Sequence, residues 1–281
     1  MPIPSLRPPA AAMRRLVALA LSVPFVLAAG ASHAQASHEV AVAAPAAEAY
    51  DVDAAPAYYV VGRDVALREA PHESARSLAT LRTRDGVRVL AEDGPPADGF
   101  AAGWRLVQYG GARGYVRAAS LSNVWIRIDK SERMAFVYRG AELLRAFPAD
   151  VSVSDEDKIR RSGQDELDHY RMPEGTFFVT RRNPNSSYYR AFVLSYPGPT
   201  HALRGVQEGI ITQAQYEAIA RADREAVEPP MNTALGGLIE IHGHGSGRQR
   251  AWTRGCVALR NVHMDELWAY VEVGTPVVIE P

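Results

Sequence analysis

The chain holds a single cysteine, Cys256, and a histidine, His242, lies 14 positions before it. Between them run Gly243, His244, Gly245, Ser246 and a string of Arg and Gln, and the approach to the cysteine is Thr253-Arg254-Gly255. These residue types suit acyl transfer through sulfur. The thiolate is the nucleophile, and free cysteine is only partly ionised at neutral pH. A nearby imidazole can take the thiol proton and later return it to a leaving amine. The imidazole needs a third group to orient it. No Asp or Glu has an obvious claim, so the backbone carbonyl of Gly243 is the candidate. A tetrahedral oxyanion needs donors. A tight turn at Gly255 exposes its N–H beside that of Cys256, and Gly243 permits close backbone approach beside the base.

The neighbours of this pair have two readings each. His244 would share the face of His242 on a strand and is taken as loop structure or a substrate contact. Thr253, Arg254 and Arg260 are candidate substrate-binding residues. The arginines suit a carboxylate and equally suit solvated surface. Trp252 fits packing better than a sugar platform. His242, His244, Cys256 and His263 together compose a rival zinc donor set. Known zinc spacings are not matched, and no metal or other cofactor is expected.

Short strands must carry these groups. Leu238 to Ile241 is a strand that delivers His242. Trp125–Ile128, Met134–Tyr138, Leu143–Phe147, Thr176–Thr180, Phe192–Ser195 and Val277–Ile279 read as further strands. Residues 202–228 form a helical insertion: Thr212 with Gln215 is a capping box, Tyr216, Ile219 and Ala220 share a face, and Pro229-Pro230 stops the helix. Its length suggests a lid beside the active site or a stabilising helix on the far side of the sheet. A second helix is expected from about Val262 to Val271. Upstream, Val65–Leu67, Ser77–Arg82, Val87–Leu90, Trp104–Tyr109 and Gly114–Val116 alternate with turns, and a long loop is marked by Gly94-Pro95-Pro96 and Asp98-Gly99. That spacing suits a small all-β barrel.

The N-terminus reads differently. Arg14-Arg15, the apolar run Leu16–Gly30 and the small residues around Ala34 form a secretory signal pattern. The run is short for a bilayer span and contains Pro24. An exported chain with an anchor removed, in the periplasm or cell envelope, is expected. A lone cysteine in such a compartment cannot form an intrachain disulfide, which makes a reactive role plausible. The net charge is −1 over 281 residues; loss of Arg7, Arg14 and Arg15 would make it more negative. Nucleic acid is therefore not an expected partner.

Two resemblances follow from these segments. VALREAP, LRTRDGVRVLAE and GWRLVQYGGARGYVRAASL resemble the bacterial SH3-like domain of cell-wall proteins. IEIHGHGSGRQRAWTRGCVALRN resembles the signature of the L,D-transpeptidase (YkuD-type) family, in which His-Gly ends a strand and Ser/Thr-x-Gly-Cys follows a variable loop. His242, Gly243, Thr253, Gly255 and Cys256 match it one by one. MPEGTF from Met172, RNPNS from Arg182 and LSYP from Leu194 are also similar. The chain departs from the pattern at Arg254, where many members have His, at Ala258, where many have Arg, and at Met172, where Thr is usual.

The resemblance implies a mainly β protein with a small SH3-like barrel followed by a YkuD-type β-sandwich catalytic domain with a helical insertion. The expected layout is a signal peptide at 1–34, a flexible linker at 35–57, the SH3-like domain at 58–122 and the catalytic domain at 124–281. It implies that Cys256 attacks an L,D-peptide bond of a peptidoglycan stem peptide, giving a thioester that an amine resolves. The amine comes from another stem or a wall-attached protein. The alternatives are a hydrolytic relative (an L,D-carboxypeptidase, or an amidase releasing wall-attached protein), a zinc hydrolase, and a non-catalytic wall-binding protein.

Overall fold

A computed structural model describes residues 52–90, 103–161 and 166–281. The expected signal peptide, residues 35–51 of the expected linker and the loop around Gly94 to Gly99 lie outside the described residues. Among the described residues, no helix is long and apolar enough to cross a membrane.

The first sheet contains β1 (Ala57–Val60), β2 (Val65–Arg68), β3 (Ser77–Leu81), β4 (Gly86–Val89), β5 (Trp104–Tyr109), β6 (Ala112–Arg117) and β7 (Leu121–Ser122). They lie in the order β3-β2-β6-β5-β4-β1-β7, and every pairing is antiparallel. Alternation drives the packing: β4 exposes Gly86 and Arg88 and buries Val87 and Val89. With Val60, Leu67, Leu81, Val107 and Val116 these valines form one apolar core. β1 takes in Ala57, the last residue assigned to the linker from sequence, because Ala57 pairs with Arg88.

The rest of the chain forms β8 (Val124–Asp129), β9 (Met134–Arg139), β10 (Glu142–Pro148), β11 (Val151–Ser152), β12 (Ser154–Asp157), β13 (Arg171–Met172), β14 (Gly175–Ser186) and β15 (Tyr189–Leu194). Then come α1 (Pro199–Gln207), α2 (Gln213–Arg224), β16 (Glu240–His242), β17 (Ala251–Thr253), β18 (Val257–Ala258), α3 (Asn261–Trp268) and β19 (Pro276–Glu280). The large sheet runs β10-β9-β8-β19-β14-β15-β16-β18, with β11–β17 and β12–β13 as short parallel pairs. The C-terminal strand β19 sits inside it, parallel to β8 and antiparallel to β14. The chain is thus mainly β.

The helical insertion is two helices. The capping box is present: the Gln215 N–H donates to Thr212 Oγ1 at 3.3 Å, and the Thr212 N–H donates to Gln215 Oε1 at 2.9 Å. Two boundaries differ from the sequence expectation. α1 begins earlier, with Pro199 in the first turn where its missing N–H costs nothing. α2 ends before Pro229-Pro230, near Ala226 at φ +51. The pair has its own core of Ala202, Ile211, Ile219 and Leu235. Arg204 of α1 donates to Asp157 Oδ2 and to the Lys158 carbonyl, both at 2.6 Å. Asp223 of α2 pairs with Arg84 of the first sheet at 3.3 Å, and the Arg84 guanidinium lies 4.1 Å from the Phe178 ring centre. The charged side of α2 is thus committed partly to the first sheet. The Tyr59 hydroxyl also crosses between sheets, donating to the Val124 carbonyl at 2.5 Å. Ala49–Pro281 is one compact unit.

Candidate active site

β16 and β18 are parallel neighbours, with His242 opposite Ala258. The strand end that carries His242 and the strand start that follows Cys256 therefore lie side by side. The Leu259 N–H donates to the His242 carbonyl at 2.8 Å and continues the pairing.

His242 is 2% exposed. Its Nδ1 lies 2.7 Å from the Gly243 carbonyl oxygen. A carbonyl only accepts, so Nδ1 carries the proton and Nε2 keeps its lone pair. Burial pushes the imidazole below the usual histidine range; the Gly243 carbonyl opposes this and His244 adds to it. Gly243 has no room for a side chain: a Cβ there would lie 2.6 Å from the Tyr188 carbonyl oxygen and 2.7 Å from Asn261 Oδ1.

Gly255 adopts φ +106, and a Cβ there would lie 2.6 Å from the Arg171 carbonyl oxygen. Both conditions require glycine. The next residue, Cys256, is partly exposed. Its thiol donates to the Leu238 carbonyl at 3.5 Å rather than to an imidazole nitrogen. Burial pushes the thiol up to about 12; a Glu240 N–H lowers it, the Glu240 carboxylate raises it, and Lys158 lowers it. Burial therefore favours the neutral form of both thiol and imidazole.

The remaining sequence candidates divide. Thr253 is 2% exposed and its hydroxyl donates to the Cys256 carbonyl at 2.6 Å. It braces the turn and is not open to substrate, a correction to the sequence expectation. His244 does not continue the strand. It is exposed at φ +61, with its N–H on Asn261 Oδ1 at 2.8 Å. Arg254 is exposed, with its guanidinium 5.7 Å from the Tyr170 ring centre. Arg260 is exposed at the N-cap of α3. Trp252 is 40% exposed rather than packed away, with its ring edge-on to His242 at 6.2 Å. His263 stacks on Phe147 at 4.8 Å. Among the described residues, no group of three or more His, Cys, Asp or Glu is placed to hold a metal ion.

Three further residues belong to the site and carry no local sequence signal. Asp150 is fully buried, and its carboxylate pins the loop between His242 and Cys256. It accepts from the Ser246 N–H at 2.6 Å, the Ser246 hydroxyl at 2.7 Å, the Arg250 N–H at 2.9 Å and Trp252 Nε1 at 2.8 Å. Burial alone would raise this carboxyl; the bonds from Ser246, Trp252 and Arg250 outweigh it and hold it below the usual carboxylate range. Tyr188, at the tip of the β14–β15 hairpin, stacks on His242 with ring centres 4.4 Å apart. Its successor Tyr189 adopts φ +77, a strained value for a non-glycine residue. Lys158 is 4% exposed, and its Nζ donates at 3.5 Å to the Arg171 carbonyl, against which Gly255 packs.

The sequence profile of the YkuD L,D-transpeptidase catalytic domain matches residues 123–279. No curated protein matches the chain. Among solved structures, Bdellovibrio bacteriovorus Bd1075 is similar at 23% identity over 57% of this chain and 47% of that one, with a TM-score of 0.34. The helical cell shape determining protein Pgp2 from Campylobacter jejuni is similar at 20% identity over 56% and 47%, with a TM-score of 0.36. An L,D-transpeptidase from Mycobacterium smegmatis is similar at 15% identity over 81% and 98%, with a TM-score of 0.37. The chain spans about half the length of the first two.

Proposed function

The chain belongs to the family of L,D-transpeptidase catalytic domains, and on that premise we propose that it is an exported peptidoglycan L,D-transpeptidase with Cys256 as nucleophile and His242 as base. The observation that carries the assignment of the base is the hydrogen bond from His242 Nδ1 to the Gly243 carbonyl. It sets the tautomer in which Nε2 is free to accept a proton. Burial favours the neutral form of both groups, which fits a thiol that loses its proton as it attacks.

The steps balance as follows. Cys256 Sγ attacks the carbonyl on the L-centre side of the L,D-peptide bond while its proton passes to His242 Nε2. The Gly255 and Cys256 N–H groups are the donors assigned to the oxyanion. The tetrahedral intermediate collapses, the peptide C–N bond breaks, and the imidazolium protonates the departing D-amino acid. A thioester remains. An amine from a second stem, or from a wall-attached protein, then attacks it and restores the thiol. The sheet at residues 57–122 is proposed as the SH3-like module of the same wall enzyme. Exposed Arg254 and Arg260 stay as candidates for stem carboxylates.

The test is incubation of the purified chain with disaccharide tetrapeptides and mass spectrometry of the products. A cross-linked dimer and an acyl adduct on Cys256 are expected, with turnover abolished in Cys256→Ala and unchanged by EDTA. Carbapenems should acylate the wild type. Turnover surviving in Cys256→Ala would end this reading. Loss with EDTA that zinc restores would favour metal chemistry. Tripeptide without any dimer would make water the acceptor and the chain a hydrolytic member of the family.

A further inference from the structure

Lys158 is a buried cation with no role in the chemistry above. Its Nζ donates to two backbone carbonyls, Asp168 at 3.1 Å and Arg171 at 3.5 Å. The Arg171 carbonyl is the same atom that would lie 2.6 Å from a Cβ on Gly255. The ammonium is therefore one carbonyl away from the Gly255–Cys256 turn. Burying an ammonium costs several kcal/mol unless something nearby compensates. The Asp168 carboxylate is already engaged: it is paired with Arg171 through Oδ1 and with Arg160 through Oδ2. The lysine backbone is held too, since its own carbonyl accepts from Arg204 at 2.6 Å.

We propose that Lys158 is a positioning residue for the nucleophile: it braces the Arg171 carbonyl against which the Gly255–Cys256 turn folds, and it supplies the fixed positive charge that favours the Cys256 thiolate. The proposal rests on the assignment of Cys256 as nucleophile. The electrostatics agree. Burial pushes the lysine down, while attraction to Cys256 and then to Asp168 pulls it up and Arg171 opposes. The other charged groups around the pair are Glu240 on β16, which disfavours the thiolate, His242, and Asp157 with its partner Arg204 beside the Lys158 backbone. Among these, Lys158 is the cation that favours the Cys256 thiolate. Its part is to offset burial and Glu240 when the thiol gives up its proton.

Because Cys256 is the single cysteine, alkylation by iodoacetamide reports its ionisation without needing substrate. The rate is followed against pH in the full chain for wild type, Lys158→Met, Lys158→Gln and Lys158→Arg, with circular dichroism to check folding. Lys158→Met and Lys158→Gln should move the profile to higher pH by ~1 unit or more, making alkylation about tenfold slower at fixed pH. Lys158→Arg keeps the charge and should hold the profile within half that shift. A folded Met or Gln variant with the wild-type profile overturns the proposal, as does an Arg variant displaced as far as Met. If Cys256→Ala abolishes turnover while the Lys158 variants alkylate normally, Lys158 is wrongly assigned and the nucleophile stands. If Cys256→Ala turns over substrate, the nucleophile itself is wrong.

Discussion

The two sheets of this molecule solve the burial of polar groups in opposite ways. In the first, at residues 57–122, the described interior is almost purely apolar and Thr83 is its buried polar residue. Its charges pair at the surface, as in Arg76–Glu69 and Arg117–Glu73. In the second, Lys130, Asp150, Lys158, Asp168, Arg171 and His242 are each at most 8% exposed. Buried charges seldom add stability over a well-packed apolar substitute. Lys130 pairs with Glu174, but the others lie on or beside the segment from His242 to Cys256, which points to chemistry there. Asp150 pins the loop, His242 has its tautomer set, and Lys158 donates to the carbonyl against which the cysteine turn packs.

Substitution at His242 should open the widest gap between the sheets. Loss of a general acid–base group typically slows a reaction on the order of 100- to 10,000-fold. His242→Ala is expected to lose tetrapeptide turnover on that scale while its thermal unfolding midpoint stays near wild type. In the wild type, the acid limb of kcat/KM should fall below the ordinary histidine value of ~6.5, because burial favours the neutral imidazole. An acid limb unchanged by the substitution would remove His242 from the role.

Asp150 comes next. Hydrogen bonds to a charged group are worth ~1.5–3 kcal/mol each at most, and an amide cannot replace all four acceptor contacts. Asp150→Asn should destabilise the chain by about 2–4 kcal/mol in urea unfolding. The pH dependence has a definite sign. The folded carboxyl lies below its unfolded value. Its contribution is thus present above the ordinary Asp value of ~3.9 and lost as pH falls through the folded one. The variant should show a flatter acid limb of stability than wild type; equal limbs would mean that the loop is held by other groups.

The smallest effect belongs to the first sheet. Arg76→Gln breaks an exposed pair worth ~0–1 kcal/mol and should leave both alkylation of Cys256 and turnover unchanged. A large loss there would erase the contrast between the sheets.

Much of this was readable in the chain. The His242–Cys256 segment suggests its chemistry, because an imidazole, a turn glycine and a thiol lie within a short run. The alternation of β4 and the capping box at Thr212 and Gln215 are local patterns, and local patterns survive folding. Boundaries were less legible. The start of α1 at Pro199 and the end of α2 near Ala226 depend on packing against Leu235 and on a left-handed residue that no period announces.

What the sequence by itself determined is the candidate reactive residues, the longer strands and the helical stretches, since these follow from residue type and short-range spacing. The short strands β11, β12, β13, β17 and β18 and the split of the insertion into two helices came from the fold. Tertiary structure alone decided how those atoms are tuned. Asp150 and Trp252 are 102 positions apart, and nothing around Asp150 marks it as the anchor of a distant loop. Tyr188 reaches His242 only because a hairpin tip folds over Gly243. Desolvation and hydrogen bonding act through space, so the protonation state of Cys256, His242 and Lys158 is a property of the folded interior and not of any segment of the chain.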